Sequence, residues 1–144
     1  MSGTPAFEIV IQSPLANVIE VLLDFNAYPI WSGLDNMTVV SRSADLTQTV
    51  IKFEISTAGL TDVVQIMVTK SDDSTLEWEL VESDLLTQLK GIFRLIALDS
   101  SSCAVAYELE LRFKNPLFNA MKKSAEVQMA QKILNRLSDR MAQI

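Results

Sequence analysis

Residues 105–113 read VAYELELRF. Val105, Tyr107, Leu109, Leu111 and Phe113 alternate with Ala106, Glu108, Glu110 and Arg112. A period of two over this length is the pattern of a strand with one buried face and one wet face. The same alternation recurs upstream. Leu89, Gly91, Phe93 and Leu95 oppose Lys90 and Arg94; Leu76, Trp78 and Leu80 oppose Glu77 and Glu79; Ile51, Phe53 and Ile55 oppose Lys52 and Glu54. Slipping any of these by one residue would bury a row of charges, so the faces are firmly assigned. Residues 60–70 are looser, with Val64, Ile66 and Val68 on one side and Val63, Gln65 and Met67 on the other.

Working outward, six strands are predicted at about 36–43, 47–56, 60–70, 75–83, 87–98 and 103–113. The separators are turn-like: Ala44-Asp45, Thr57-Ala58-Gly59, Asp72-Asp73-Ser74, Ser83-Asp84 and Asp99-Ser100-Ser101-Ser102. Links this short join antiparallel neighbours, because a parallel crossover needs a dozen or more residues. Ahead of this meander, 6–11 reads as a short strand. Ser13-Pro14 suggests an N-cap with proline at the first helical position, opening a helix to about Asp24. Behind it a long helix is predicted from about Leu117, with Phe118, Met121, Ala125, Met129, Ile133, Leu137 and Met141 as its apolar stripe. A helix of roughly 25 residues spans about 38 Å, as far as a strand of about eleven. The fold class is therefore α+β: a curved antiparallel sheet of about seven strands around a long C-terminal helix, with short helices after the first strand.

The segment between the first helix and the meander, DFNAYPIW at 24–31, sets two large aromatics on a bend. Pro29 donates no backbone hydrogen bond and biases Tyr28 away from helix. Gly91, inside a strand of bulky residues, marks either a packed bend or a close approach of backbone or ligand. Met121 and Met129 have the same two readings, since methionine fills irregular core gaps and also lines adaptable surfaces.

Composition narrows the function. The chain has 144 residues, 49% of them hydrophobic, and a mean hydropathy of +0.22. It is expected to form one domain over 1–144 with a substantial core. No run approaches the roughly 18 apolar residues of a membrane span, and the N-terminus lacks a secretory pattern. Cys103 is the lone cysteine; with no second cysteine to pair with, a cytoplasmic location is expected. The net charge is −6, the wrong sign for gripping a phosphate backbone, so no nucleic-acid partner is expected. Five basic groups (Lys122, Lys123, Lys132, Arg136, Arg140) against two acids fall within 115–144.

The runs YPIW, GLTD, LEWELVESDLL, LKGIFRL and VAYELELRFKNPL, in this order and ahead of a basic terminal helix, resemble the START-like (Bet v 1-like, SRPBCC, helix-grip) superfamily. Within it, the chain is most similar to the bacterial polyketide cyclase/dehydrase or coenzyme Q-binding-like branch. The resemblance covers nearly the whole chain and implies an apolar cavity between sheet and C-terminal helix. It makes Tyr28 and Trp31 part of the rim. The cavity lining it implies here is Tyr28, Trp31, Phe53, Ile55, Ile66, Trp78, Leu80, Leu89, Gly91, Phe93, Tyr107, Leu109, Met121, Ala125 and Met129.

Catalytic motifs are absent. The chain has no histidine, hence neither the commonest general base nor the commonest metal ligand, and one cysteine cannot build a zinc cluster. Gly3, Gly33, Gly59 and Gly91 are too scattered for a phosphate loop. No catalytic residue, metal site or cofactor is assigned. Three functions stand. The first is binding or carriage of a lipid, quinone or polyketide-like molecule, with at most transient membrane contact. The second is an aromatase/cyclase-type enzyme acting on a polyketide-like substrate in the same cavity. The third is an interaction protein like the ribosome-associated members of the superfamily, which the acidity disfavours. Few polar groups point inward, which favours carriage, with Tyr107 and the Trp78 indole as the evident interior donors. The residues set no oligomeric state.

Overall fold

The computed structural model describes residues 6–57 and 59–143. Strand β1 (Ala6–Ile11) is followed by helix α1 (Leu15–Leu23), a 3₁₀ turn at Phe25–Ala27 and a single-turn helix α2 (Tyr28–Trp31). Six strands then meander: β2 (Asp35–Arg42), β3 (Gln48–Thr57), β4 (Leu60–Asp72), β5 (Thr75–Glu82), β6 (Leu86–Asp99) and β7 (Ser102–Phe113). A 3₁₀ segment at Pro116–Met121 leads into helix α3 (Lys122–Gln143). The sheet is wholly antiparallel in the order β1-β7-β6-β5-β4-β3-β2. Of the expected turns, Ala58 lies outside the described residues.

The alternation sets the faces as expected. Val105, Tyr107, Leu109, Leu111 and Phe113 are buried, as are Ile51, Phe53 and Ile55. On β4 the ambiguity resolves toward Val64, Ile66 and Val68, all buried, while Val63 is exposed. Asp62 falls on the same inward row. It is buried and accepts hydrogen bonds from the Ser83 hydroxyl and from Leu85 N (3.2 Å), which anchors the β5–β6 turn.

Three tight turns share one device. Asp45, Asp72 and Asp99 each accept from the backbone N–H and the hydroxyl of the residue two positions on, Thr47, Ser74 and Ser101, at 2.8–3.1 Å. An aspartate mimicking a backbone acceptor in this way closes a turn without glycine.

Two helix starts differ from expectation. Pro14 itself is the N-cap of α1, in an extended conformation (φ −58°, ψ 145°), and no side chain caps the helix. Its carbonyl accepts from Asn17 and Val18, so Ser13 lies one residue too early to serve. The C-terminal helix starts five residues later than predicted. Asn115 caps the 3₁₀ segment by accepting from Leu117 N. Asn119 then bonds both backbone groups of Phe113, accepting from its N–H (2.9 Å) and donating to its carbonyl (3.3 Å). Holding Asn119 against the strand keeps this stretch tightly wound, and regular α-helix begins only at Lys122.

These contacts satisfy backbone groups near the end of β7. The described pairing of β1 with β7 runs from Ala6 opposite Glu108 to Ile11 opposite Cys103. Asn119 covers Phe113, and Glu126 of α3 covers Leu111, accepting its N–H at 2.8 Å. Glu126 is only 3% exposed and pairs with Lys122 at 3.2 Å. A buried backbone donor needs such a partner, and here a carboxylate supplies it.

Candidate functional site

Between the inward face of the sheet, the α1–α2 segment and α3 lies a cavity of about 140 Å³. Leu22 and Phe25 reach it from the first helical segment, Ile51, Phe53 and Ile55 from β3, and Ile66 and Val68 from β4. Leu76 and Trp78 come from β5, Leu89 and Phe93 from β6, Tyr107 and Leu109 from β7, and Met129, Lys132 and Ile133 from α3. Tyr28, Ser32, Gly33, Leu34, Met37 and Ser56 complete the wall. Lys132 is its one charged member. Gly33, Ser56 and Lys132 are solvent-exposed and mark the mouth.

Three rings meet at one wall. Trp78, Phe93 and Tyr107 have centroids 4.5–5.3 Å apart in tilted arrangements. They come from three adjacent strands, and Gly91 makes the cluster possible. Gly91 is paired directly with Trp78 across β5 and β6. A Cβ added at Gly91 would fall within the Trp78 indole, just 2.7 Å from Nε1. The indole therefore lies against bare backbone, as aromatic rings do over strand glycines.

Tyr28 is fixed differently. Its hydroxyl donates to Leu22 O at 2.5 Å, linking α2 back to α1, and its ring stands 4.9 Å from that of Trp31. Burial pushes both the Tyr28 and the Tyr107 phenols far above their ordinary range. Tyr107 and Trp78 both line the cavity, and among the described residues neither the Tyr107 hydroxyl nor Trp78 Nε1 has a hydrogen-bond partner.

Of the positions assigned from sequence, Tyr28, Phe53, Ile55, Ile66, Trp78, Leu89, Phe93, Tyr107, Leu109 and Met129 stand in the cavity wall. Five stand elsewhere. Trp31 is buried in the core against Tyr28 and not in the wall, the bend having wound into a helical turn. Gly91 lies beneath Trp78. Leu80 packs, half-buried, beside the core rather than in the wall. Ala125 is buried in the core between α3 and the sheet. Met121 is 39% exposed, since the 3₁₀ winding of Pro116–Met121 breaks the helical phase of the stripe. On α3 the buried row is Ala125, Glu126, Ala130, Leu134, Leu137 and Met141, with Met129 and Ile133 along its cavity flank. Leu22, Phe25, Ser32, Gly33, Leu34, Met37, Ile51, Ser56, Val68, Leu76, Lys132 and Ile133 stand in the wall without having been assigned to it from sequence. Ile51, Val68, Leu76 and Ile133 carried a signal in the inward faces of their strands and the stripe of the terminal helix, whereas a lysine near the middle of a helix carried none.

A family model for polyketide cyclase / dehydrase and lipid transport matches residues 11–138. The chain belongs to this family. Solved structures of the same fold include a START superfamily protein from Mycobacterium smegmatis, with TM-score 0.87, 18% identity and 97% of each chain covered. The Zhui aromatase/cyclase from Streptomyces sp. R1128 has TM-score 0.79 at 13% identity, over 97% of this chain and 93% of that one. Major latex-like protein 151 from Panax ginseng has TM-score 0.72 at 9% identity, over 96% and 97%. No curated protein matches the chain. At such identities the likeness covers the shared fold, and this polyketide cyclase / dehydrase and lipid transport member has the seven-stranded sheet and long terminal helix expected of it.

Proposed function

We propose that this chain binds a hydrophobic small molecule in the cavity between the sheet and α3. The observation that carries this reading is a hollow walled almost entirely by apolar side chains, with two indole and phenol donors left without partners. Apolar enclosure with a few convergent polar groups is the usual character of a small-molecule site. The contacts we assign to the guest are Phe53, Ile66, Trp78, Phe93, Tyr107, Leu109 and Met129. A hollow of about 140 Å³ is close to an engineered cavity of roughly 150 Å³ that takes up benzene. The buried part of the guest is therefore compact, such as one ring of a quinone or polyketide-like compound or a short stretch of acyl chain.

Carriage is favoured over aromatase/cyclase catalysis by the ionisable groups in the wall, which are Tyr28, Tyr107 and Lys132. Burial keeps both phenols neutral donors, and among the described residues the wall holds no carboxylate or histidine to act as a general base. The test is titration with a single-ring hydrophobic probe, followed by tryptophan emission, with native mass spectrometry of the purified protein for a retained ligand. A saturable one-site isotherm is expected. Uptake that never saturates would overturn the reading.

A further inference from the structure

The mouth of the cavity is chemically unlike its interior. Lys132 is the one charged residue of the wall, and Arg136, one turn on along α3, stands beside it. Both side chains close on Gly33. A Cβ at Gly33 would lie 3.1 Å from Lys132 Cε, 3.1 Å from Arg136 Nε and 3.2 Å from Arg136 Cζ. Gly33 has φ +81°, a left-handed conformation that suits glycine, so the α2–β2 corner brings bare backbone up to these two cations. Neither forms an ion pair with any described residue, although the chain carries 18 acids against 12 bases. One turn further, Arg140 Nε is buried without a hydrogen-bond partner. Two adjacent unpaired cations in an acidic protein, at the opening of an apolar hollow, form a complementary seat for an anion.

Resting on the reading above, we propose that the guest is amphipathic and anionic: its apolar part enters the cavity and its terminal oxyanion, a carboxylate or phosphate monoester, pairs with Lys132 and Arg136 at the mouth. Arg136 supplies a planar fork and Lys132 a mobile point charge, a combination suited to either oxyanion.

The experiment compares 4-phenylbutanoate, 3-phenylpropyl phosphate and the neutral 4-phenylbutanamide on the intact protein, by calorimetry at low and high salt. At low salt one or both anions should bind about 5–10-fold more tightly than the amide, the range of charge-assisted contacts at a partly exposed rim. The tighter anion names the group. In Lys132→Met/Arg136→Gln the preference should fall to about one, while Lys123→Gln, an exposed lysine nearer the start of α3, should keep it. Raising salt should erode the preference in the wild type. Equal binding of anions and amide by the wild type overturns the anionic assignment alone. A preference that survives the double substitution also overturns it. If none of the three probes binds, the carrier reading falls and the rim assignment with it.

Discussion

Gly91 and Trp78 act as one unit. The glycine has no side chain because the indole occupies that place, and the indole in turn forms part of the cavity wall. Gly91→Leu should therefore cost about 1–3 kcal/mol by overpacking, read from urea denaturation. It should also weaken probe binding by driving the indole into the hollow. Unchanged stability would show that the ring yields freely and would refute this packing. Tyr107→Phe is the opposite kind of change. The phenol has no partner among the described residues, so stability should stay within about 0.5 kcal/mol. Affinity for a probe with a hydrogen-bond acceptor should fall while that for a purely apolar probe holds. Loss of both affinities would deny the hydroxyl a specific role.

At the scale of elements, α3 serves both as a lid on the sheet and as an edge cover for β7. Glu126→Ala should cost about 1–3 kcal/mol, because the buried Leu111 N–H is left without an acceptor. Amide exchange at Leu111 should accelerate along with the loss of stability, and a neutral result would mean that water takes the carboxylate's place. The β2–β3 turn provides a pH test. Hydrogen bonds from Ser43 and Thr47 hold the Asp45 carboxyl near pKa 2, against an ordinary 3.8. A lowered folded-state pKa stabilises the turn above about pH 4, and this contribution disappears as pH falls through about 2. NMR titration of the Asp45 carboxyl should give that low midpoint. A midpoint near 4 would mean that the turn's hydrogen bonds are not held in solution.

For the molecule as a whole, the sheet and α3 enclose more space than their side chains fill. Ile133→Phe, placed on the cavity flank of α3, should reduce the hollow without emptying any packed region. Stability should be kept or slightly raised, as cavity-filling changes often do. Binding of a single-ring probe should fall about tenfold or more, and full-strength binding would place the guest elsewhere. Wild-type melting temperature should rise with the logarithm of probe concentration once the site is saturated, by mass action on the folded state.

The chain by itself determined the strands, their faces and the order of the six-stranded meander, while the place of β1 beside β7 came from the tertiary structure. Each of the former follows from a short-range cause: alternation fixes which side is wet, and turns of two to four residues force antiparallel neighbours. Tyr107, Phe93 and Leu109 could be placed on the cavity face because period two links them directly to the burial of their strands. Tertiary structure alone decided where that face stays hollow. Gly91 reads from its own strand as either a packed bend or a close approach, and only the Trp78 ring of the neighbouring strand decides between them. Met121 reads as helix stripe until Asn119 binds Phe113 and changes the winding. Glu126 reads as surface charge until α3 packs on β7 and its carboxylate accepts the Leu111 N–H. Lys132 becomes a mouth residue because the α2–β2 corner folds onto α3. These are contacts between residues distant in sequence, and no local period records them.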